Sequence, residues 1–211
     1  MVDIAVVDYG MGNLRSVHNA LCTVAPKASV EVTSDPAVIA RAGRVVFPGQ
    51  GAMPDCMRDL DSLGLRNAVL DATKNKPFLG ICIGLQMLFE HSTEGDVACL
   101  GVLPGEVVRF KHEMHDALGN RLKVPHMGWN QITHRDHAMW QGIPQGERFY
   151  FVHSYYVQTK NAALVQAESQ YPDPFVCAVA RDNLFAVQFH PEKSHTAGLQ
   201  LLKNFVSWDP V

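Results

Sequence analysis

The first candidate catalytic residue in this sequence is a cysteine that has a glycine two residues before it and another two residues after it. Cys82 lies in the segment Pro77-Phe-Leu-Gly80-Ile-Cys82-Ile-Gly84-Leu-Gln86. The apolar residues before it are typical of a buried strand, and those after it of a helix start. Flanking glycines permit a sharp, strained turn that would place the sulfur at the carboxyl edge of a sheet. There a helix N-terminus favours thiolate over thiol, although a buried structural cysteine is an equal alternative for this segment alone.

A histidine and a glutamate two residues apart supply what a thiol nucleophile needs. They lie in Gln188-Phe-His190-Pro-Glu192-Lys-Ser194, directly after an apolar strand pattern. The thiol needs a base to take its proton, and the base needs a carboxylate to fix its tautomer. An extended backbone points residues two apart the same way. The spacing therefore predicts a triad of Cys82, His190 and Glu192, against the alternative of a capped strand end with a solvated glutamate.

A glycine-rich loop, Phe47-Pro48-Gly49-Gln50-Gly51-Ala52, follows another strand pattern. A peptide N–H in Gly49–Gly51 can turn toward a substrate carbonyl, and the amide of Ile83 after the cysteine can do the same. An ordinary strand-to-helix turn is the plainer interpretation of the loop alone. Because the carboxyl ends of strands form the ligand crevice of α/β sheets, we expect the three segments to converge there.

The elements that would position these residues alternate between strand and helix in the first half of the chain. The pattern predicts strands at 4–8, 30–33, 44–47 and 77–82. It predicts a helix that Asn13 caps and that runs to about residue 23, and further helices at 63–73 and 84–91. The second half predicts strands at 106–110, 149–158, 163–168, 175–180 and 184–189, then a helix at 196–207. Residues 111–130 give no clear pattern. The expected fold is α/β, a mixed, mostly parallel sheet with helices on both faces and antiparallel additions in the second half, as one domain over 1–211.

Composition narrows the class of protein. The chain has 211 residues, 47% of them hydrophobic and 18% charged, with a net charge of −3. Without a basic block, a nucleic-acid partner is not expected, and no apolar stretch is long enough for a membrane span. Five scattered cysteines without a CxxC pair predict neither a disulfide framework nor a zinc site. A reducing cytoplasm is the expected location.

Together these motifs resemble the class I, triad-type glutamine amidotransferases over essentially the whole chain. Gly80-Ile-Cys82-Ile-Gly84-Leu-Gln86 is similar to the nucleophile motif of that class, and His190-Pro-Glu192 to its base and acid. The loop departs from the usual pattern, which has an aliphatic residue where this chain has Gln50. A backbone donor does not depend on that side chain.

Three further segments resemble one branch of this class, the glutaminase subunits that serve a cyclase in histidine biosynthesis. These segments are Asp8-Tyr-Gly-Met-Gly-Asn13-Leu-Arg-Ser16, Val124-Pro-His126-Met-Gly-Trp129-Asn130 and Phe149-Tyr-Phe-Val-His153-Ser-Tyr155. The resemblance implies glutaminase activity without a metal or organic cofactor. It implies a heterodimer with a (β/α)8-barrel cyclase, which uses the ammonia to make imidazole glycerol phosphate and an aminoimidazole carboxamide ribotide.

The resemblance also implies roles for individual residues. Gln86, Glu94 and backbone at Ser154 and Tyr155 would hold the substrate glutamine. Asn13, His126, Trp129 and Asn130 would lie on the face that docks the cyclase. For Trp129 a plain core position is the alternative, and for Glu94 a solvated turn.

Two alternative functions stay open from the sequence. One is a glutaminase subunit that serves another acceptor, as in anthranilate or carbamoyl phosphate synthesis. The other is a non-catalytic sensor on the same fold, for which Cys82 would be dispensable.

Overall fold

The computed structural model describes residues 2–116 and 118–210. In this part of the chain the strands are β1 (Ile4–Val7), β2 (Val30–Thr33), β3 (Arg44–Gly49), β4 (Phe78–Cys82), β5 (His91–Ser92), β6 (Val97–Ala98), β7 (Glu106–Arg109), β8 (Met114–His115), β9 (Arg121–Leu122), β10 (His126–Gln131), β11 (Thr133–His134), β12 (Arg148–His153), β13 (Tyr155–Gln158), β14 (Val165–Gln170), β15 (Pro174–Arg181) and β16 (Leu184–Val187). The α-helices are α1 (Leu14–Val24), α2 (Pro36–Arg41), α3 (Met53–Ser62), α4 (Arg66–Asn75), α5 (Ile83–Gln86) and α6 (His195–Ser207). Short 3-10 helices span Ala138–Trp140, Ala162–Leu164 and Pro191–Lys193.

One large mixed sheet organises these elements. Its strand order within the described residues is β2-β1-β3-β4-β16-β15-β13-β7-β5-β6, with β14 and β11 added beside β15. The pairs from β2 through β16 are parallel, whereas β16 with β15, β15 with β13 and β13 with β7 are antiparallel. The predicted fold class is therefore confirmed, including the antiparallel additions in the second half.

The parallel half of the sheet is covered on both faces. Every residue of β1, β4 and β16 is buried, as is usual when helices pack on both sides of a strand. Helix α1 packs on α6, and α2 packs on α4. In α1 the buried residues Val17, Ala20 and Leu21 follow the spacing of one helix face. This rigid half carries the strand ends at which the candidate residues lie.

Three predicted elements differ from the structure. The helix predicted at 84–91 ends at Gln86, because the amide of Glu90 instead donates to the carbonyl of Gly105, beside the pairing of β5 with β7. The helix predicted at 63–73 is α4, and α3 before it was not predicted. The strand predicted at 149–158 is two strands, β12 and β13, which pair in different sheets.

A second, two-stranded sheet pairs β10 with β12 in antiparallel register. It forms within and beyond the segment that gave no clear sequence pattern, which also contains the β8–β9 hairpin. Among residues 2–116 and 118–210, no helix is long and apolar enough to cross a membrane.

Candidate active site

Cys82 occupies a strained backbone position at the end of β4. Its φ of 56° and ψ of −112° are rare for a residue with a side chain, and α5 begins at the next residue. A β-carbon at Gly84 would collide with the carbonyl oxygen of Phe47, and one at Gly80 would lie 3.0 Å from the β-carbon of Ala186. Both glycines therefore have a steric reason to be glycine, and the bend presents the sulfur at the carboxyl edge of the sheet.

The sheet register brings the three predicted segments together. Gly49 of β3 is paired with Cys82 of β4, and Val187 of β16 is paired with Ile81. Because these neighbouring strands are parallel, the glycine-rich loop and the segment with His190 both emerge beside the cysteine. A cavity of about 360 Å³ lies at this edge and is lined by Gln50, Gly51, Cys82, Ile83, Gln86, Glu94, Pro125, Val152, His153, Ser154, Tyr155, His190 and Lys193.

His190 and Glu192 form a buried hydrogen-bonded pair. Nδ1 of His190 lies 2.8 Å from Oε1 of Glu192, and the two side chains are only 2% and 1% exposed. Nε2 of His190 and Oε2 of Glu192 are buried and have no hydrogen-bond partner among the described residues. With Nδ1 on the carboxylate, Nε2 is the ring atom free to exchange a proton with a group in the cavity.

Strand β12 and Ser194 hold the backbone of His190. The amide of His190 donates to the carbonyl of Tyr150 at 2.9 Å. The Ser194 hydroxyl donates to the carbonyl of His190 at 2.6 Å and accepts from the amide of Tyr150 at 2.9 Å. The ring is thus positioned by the second sheet as well as by the end of β16.

Opposing influences act on the pKa of His190. Burial alone would lower it, but the negative charge of Cys82 and the hydrogen bond to Glu192 outweigh burial and raise it to about 10. Nε2 makes no hydrogen bond with any described residue, so Cys82 acts on the ring through electrostatic attraction. That attraction favours an imidazolium beside a thiolate, the activated form of a cysteine nucleophile.

The predicted oxyanion residues separate into two groups. Gln50, Gly51 and Ile83 line the cavity, whereas Gly49 lies behind it against the hydroxyl of Tyr9. The carbonyl of Gln50 accepts a hydrogen bond from Sγ of the Cys56 thiol at 3.4 Å, which anchors the loop from below. Gly51 has a φ of 110°, a conformation that favours glycine.

The predicted glutamine-binding residues all line the cavity, but several of their polar atoms already have partners. Nε2 of Gln86 donates to the carbonyl of Tyr155 and to Oε1 of Gln188, both at 2.9 Å. Oε2 of Glu94 accepts from the amide of Met53 at 2.9 Å, and the carbonyl of Ser154 accepts from the amide of Phe110. Their roles in binding substrate stay predictions.

Of the four predicted docking residues, one is not at the surface. Trp129 is 42% exposed and stacks on His195 with ring centroids 5.0 Å apart, and Asn13 and Asn130 are half-buried. His126, by contrast, is 4% exposed. Strand β10 turns its ring inward onto Tyr171, with centroids 4.0 Å apart, and its place on the docking face stays a prediction.

Two residues of the site were not singled out from the sequence. Gln188 is fully buried, and its Nε2 lies 3.7 Å from Sγ of Cys82. His153 lines the cavity and donates from Nδ1 to the carbonyl of Tyr155 at 2.8 Å. A signal for Gln188 existed, because a residue two positions before His190 in an extended chain points to the same side.

A larger cavity of about 1050 Å³ lies elsewhere, beside β7 and β13, with Glu106, Gln158 and Phe175 in its wall. None of Cys82, His190 and Glu192 lines it. Because Cys82 and His190 line the smaller cavity, that cavity is the candidate active site. Across the described residues, no group of three or more His, Cys, Asp or Glu side chains is arranged to hold a metal ion.

The sequence and fold match one family along nearly the whole chain. Residues 5–208 match the family model for glutamine amidotransferase class-I. This chain belongs to that family. Its similar relatives include the imidazole glycerol phosphate synthase subunit HisH of Thiobacillus denitrificans, which is 66% identical over 99% of this chain and 92% of its own length. The HisH subunits of Dechloromonas aromatica and Aromatoleum aromaticum are also 66% identical, over 98% and 100% of this chain and 97% and 100% of their own lengths.

Solved structures share the fold at much lower identity. A putative GMP synthase component from Thermoplasma acidophilum has a TM-score of 0.70 at 18% identity, covering 98% of this chain and 93% of that one. A structure described as a glutamine amidotransferase has a TM-score of 0.71 at 17% identity, covering 96% and 97%. At such identities the likeness supports the fold alone.

Proposed function

We propose that this chain is the glutaminase subunit of an imidazole glycerol phosphate synthase. It hydrolyses L-glutamine to glutamate and ammonia and passes the ammonia to a cyclase subunit. The observation that carries the proposal is the strained Cys82 in the wall of a cavity that His190 also lines, with Nδ1 of His190 paired with Glu192 and its Nε2 without a hydrogen-bond partner among the described residues. The choice of acceptor pathway is supported by relatives named as HisH that are 66% identical along their lengths.

The proposed reaction follows from the positions of these groups. The Cys82 thiolate attacks the side-chain carboxamide carbon of glutamine, and the developing oxyanion is held by the amide of Ile83 and an amide of the loop 49–51. The imidazolium of His190 gives its proton to the departing nitrogen, the C–N bond breaks and ammonia leaves. The same imidazole then takes a proton from water, which attacks the thioester and releases glutamate. Glu192 keeps the ring in the tautomer that this exchange needs.

The chemistry of the product, ammonia, supports the presence of a partner subunit. Free ammonia becomes ammonium near neutral pH, and ammonium is a poor nucleophile. A second active site that receives ammonia directly avoids this loss. We propose that the receiver is a (β/α)8-barrel cyclase in a heterodimer, which uses the ammonia to make imidazole glycerol phosphate and an aminoimidazole carboxamide ribotide. Neither subunit needs to supply a metal or organic cofactor for glutamine hydrolysis, and a cytoplasmic location is part of the same proposal.

Glutamate release in the presence of the cyclase tests the proposal. Cys82→Ala should abolish release while the circular dichroism spectrum stays unchanged. Cys99→Ala is a matched control, because burial raises the pKa of the Cys99 thiol to about 11 and it is not in the cavity. Normal glutamate release by Cys82→Ala would refute the triad and favour the sensor alternative.

Co-purification tests the choice of pathway separately. A stable complex with a (β/α)8-barrel chain supports the histidine branch. A stable complex with a chorismate-using or ATP-using subunit would instead establish the alternative acceptor, with the glutaminase chemistry retained.

A further inference from the structure

Gln188 is a buried polar residue that touches the nucleophile and that the reaction described above does not use. It is 0% exposed and lies at the end of β16, between Gln86 and Cys82. Its carboxamide makes two contacts, one to Nε2 of Gln86 at 2.9 Å and one to Sγ of Cys82 at 3.7 Å. Among the described residues, this is the hydrogen bond that the structure records as donated to the sulfur.

The orientation of this carboxamide is fixed by the groups around it. A main-chain carbonyl only accepts, so the Gln86 atom that faces the carbonyl of Tyr155 must be the amide nitrogen. The second hydrogen of that nitrogen points at Gln188, so the Gln188 atom that accepts it must be the carboxamide oxygen. The remaining terminal group of Gln188 is therefore NH2, and it is this donor that faces the sulfur.

We propose that Gln188 is a catalytic residue that donates a hydrogen bond to Sγ of Cys82 and stabilises the thiolate. The proposal rests on the proposed glutaminase function and adds a donor to its machinery. A hydrogen bond to a charged acceptor is stronger than one between neutral groups, and the exclusion of water from Gln188 strengthens it further. Gln188 and His190 belong to the same segment, and both approach the sulfur. The thiolate is therefore stabilised by the carboxamide of Gln188 and by the imidazolium of His190.

A second set of contacts secures the carbonyl on which Gln86 is oriented. The carbonyl of Tyr155 also accepts from Nδ1 of His153, at 2.8 Å. Since that nitrogen carries the proton, Nε2 of His153 accepts from Nδ1 of His126, at 3.0 Å. Nε2 of His126 then accepts from Nδ2 of Asn130, at 3.3 Å. Each ring donates once and accepts once, and together the two buried histidines hold the carbonyl of Tyr155 at the start of β13.

Several titratable groups face Cys82 besides its hydrogen-bond donor. The cavity wall contributes His190, His153, Glu94, Lys193 and Tyr155. Tyr9 lies behind the glycine-rich loop. Burial is the main cause of its raised pKa, and the charge of Cys82 contributes to the same shift. None of these groups changes when Gln188 alone is replaced, so a matched pair of variants isolates its contribution.

Alkylation of Cys82 in the full-length chain tests the proposal without requiring turnover. Iodoacetamide reacts with the thiolate, and the modified cysteine is identified by peptide mass spectrometry. Gln188→Met keeps the volume and removes the donor, and at pH 7 it should slow alkylation of Cys82 about tenfold, the usual scale for one hydrogen bond to a charged group. The difference should shrink as the pH rises, because hydroxide then deprotonates the thiol without help. Gln166→Met, a glutamine of β14 outside the cavity, is the control and should leave the rate unchanged.

Kinetics with the cyclase separate this role from a merely structural one. Loss of the sulfur donor should lower kcat for glutamine hydrolysis, whereas loss of support for Gln86 alone would raise KM and leave alkylation untouched. An unchanged alkylation rate in a folded Gln188→Met variant overturns the proposal, even if glutaminase activity is confirmed. If that variant does not fold, Gln188→Leu is measured in its place, with the same outcomes deciding. If the wild-type complex releases no glutamate, the proposed function fails, whatever the alkylation result.

Discussion

Nδ1 of His126 lies 3.0 Å from Nε2 of His153, across the antiparallel pairing of β10 and β12. Both rings are buried, and burial lowers the pKa of His126 to about 4 and that of His153 to about 3. The charge of each neighbouring histidine lowers the pKa of His153 further, whereas its bond to the carbonyl of Tyr155 opposes the change. The pair is therefore neutral in the folded protein at neutral pH.

This pair predicts that the protein loses stability in mild acid. An unfolded histidine has a pKa of about 6.5, so below that pH the unfolded state binds protons that the folded state does not. The free energy of unfolding should fall as the pH drops from 6.5 toward 4, by about 2 kcal/mol for each ring at pH 5. Urea unfolding at pH 7, 6 and 5 measures this. His137, whose pKa burial also lowers, adds a loss of the same sign.

Comparison of variants assigns the acid effect to the pair. His126→Gln should reduce the pH dependence of unfolding, even if it lowers stability at pH 7. His112→Gln, at an exposed position, should keep the wild-type dependence. A slope that is equal in all three proteins would show that the rings are not the source.

Glu192 is expected to act through the orientation and charge of His190. Glu192→Gln keeps the shape and leaves an oxygen for Nδ1, but it removes the charge that helps raise the pKa of the imidazole. We expect kcat for glutamine to fall about a hundredfold with a smaller change in KM. Steady-state glutamate release with the cyclase measures this. Glu106→Gln, at an exposed position on β7, is the control and should show wild-type values. If Glu192→Gln also has the wild-type kcat, Glu192 is not part of the triad.

The sequence predicts this site well where local pattern is enough. A buried apolar strand, a glycine on each side of Cys82 and a histidine two residues before a glutamate are all readable in short windows. Parallel strands then bring their ends together without further information, which is why the three segments meet as expected. The fold class follows from the same alternation of elements.

Short sequence patterns do not predict interactions between distant parts of the chain. The family resemblance placed His126 at the surface together with Trp129, but the alternation of β10 turns the ring of His126 inward. The hydrogen bond from Gln188 to Cys82 joins residues 106 positions apart. Helix α5 is short because β5, which follows it, pairs with β7. The helical propensity of residues 84–91 does not indicate this pairing.

Trp129 is expected to anchor the cyclase. It is 42% exposed, lies flat on His195 and has the more exposed Met127 nearby in the same strand. Large aromatic residues of this kind often dominate interface energetics, so Trp129→Ala should weaken the complex at least about tenfold. Leu63→Ala is the control, since Leu63 is exposed to a similar extent, 46%, at the end of α3. Isothermal titration with the cyclase gives both dissociation constants. Equal values for the two variants would exclude Trp129 from the interface.

Cys56 is expected to support the oxyanion loop through its thiol proton. Burial raises the pKa of Cys56 to about 12, so the thiol stays protonated at neutral pH and can donate to the carbonyl of Gln50, 3.4 Å from Sγ. That carbonyl belongs to the peptide between Gln50 and Gly51, both of which line the cavity.

Two substitutions of Cys56 separate this hydrogen bond from simple packing. Cys56→Ala removes the donor and should lower kcat/KM for glutamine about fivefold, the scale of one neutral hydrogen bond. Cys56→Ser keeps a donor in nearly the same volume and should stay closer to the wild type, with the difference appearing in kcat because the loop faces the transition state. Melting temperatures of both variants report the packing cost. Loss of activity that follows the melting temperature instead of the donor would leave Cys56 as a packing residue, and the loop would then depend on its glycines and on the contact of Gly49 with Tyr9.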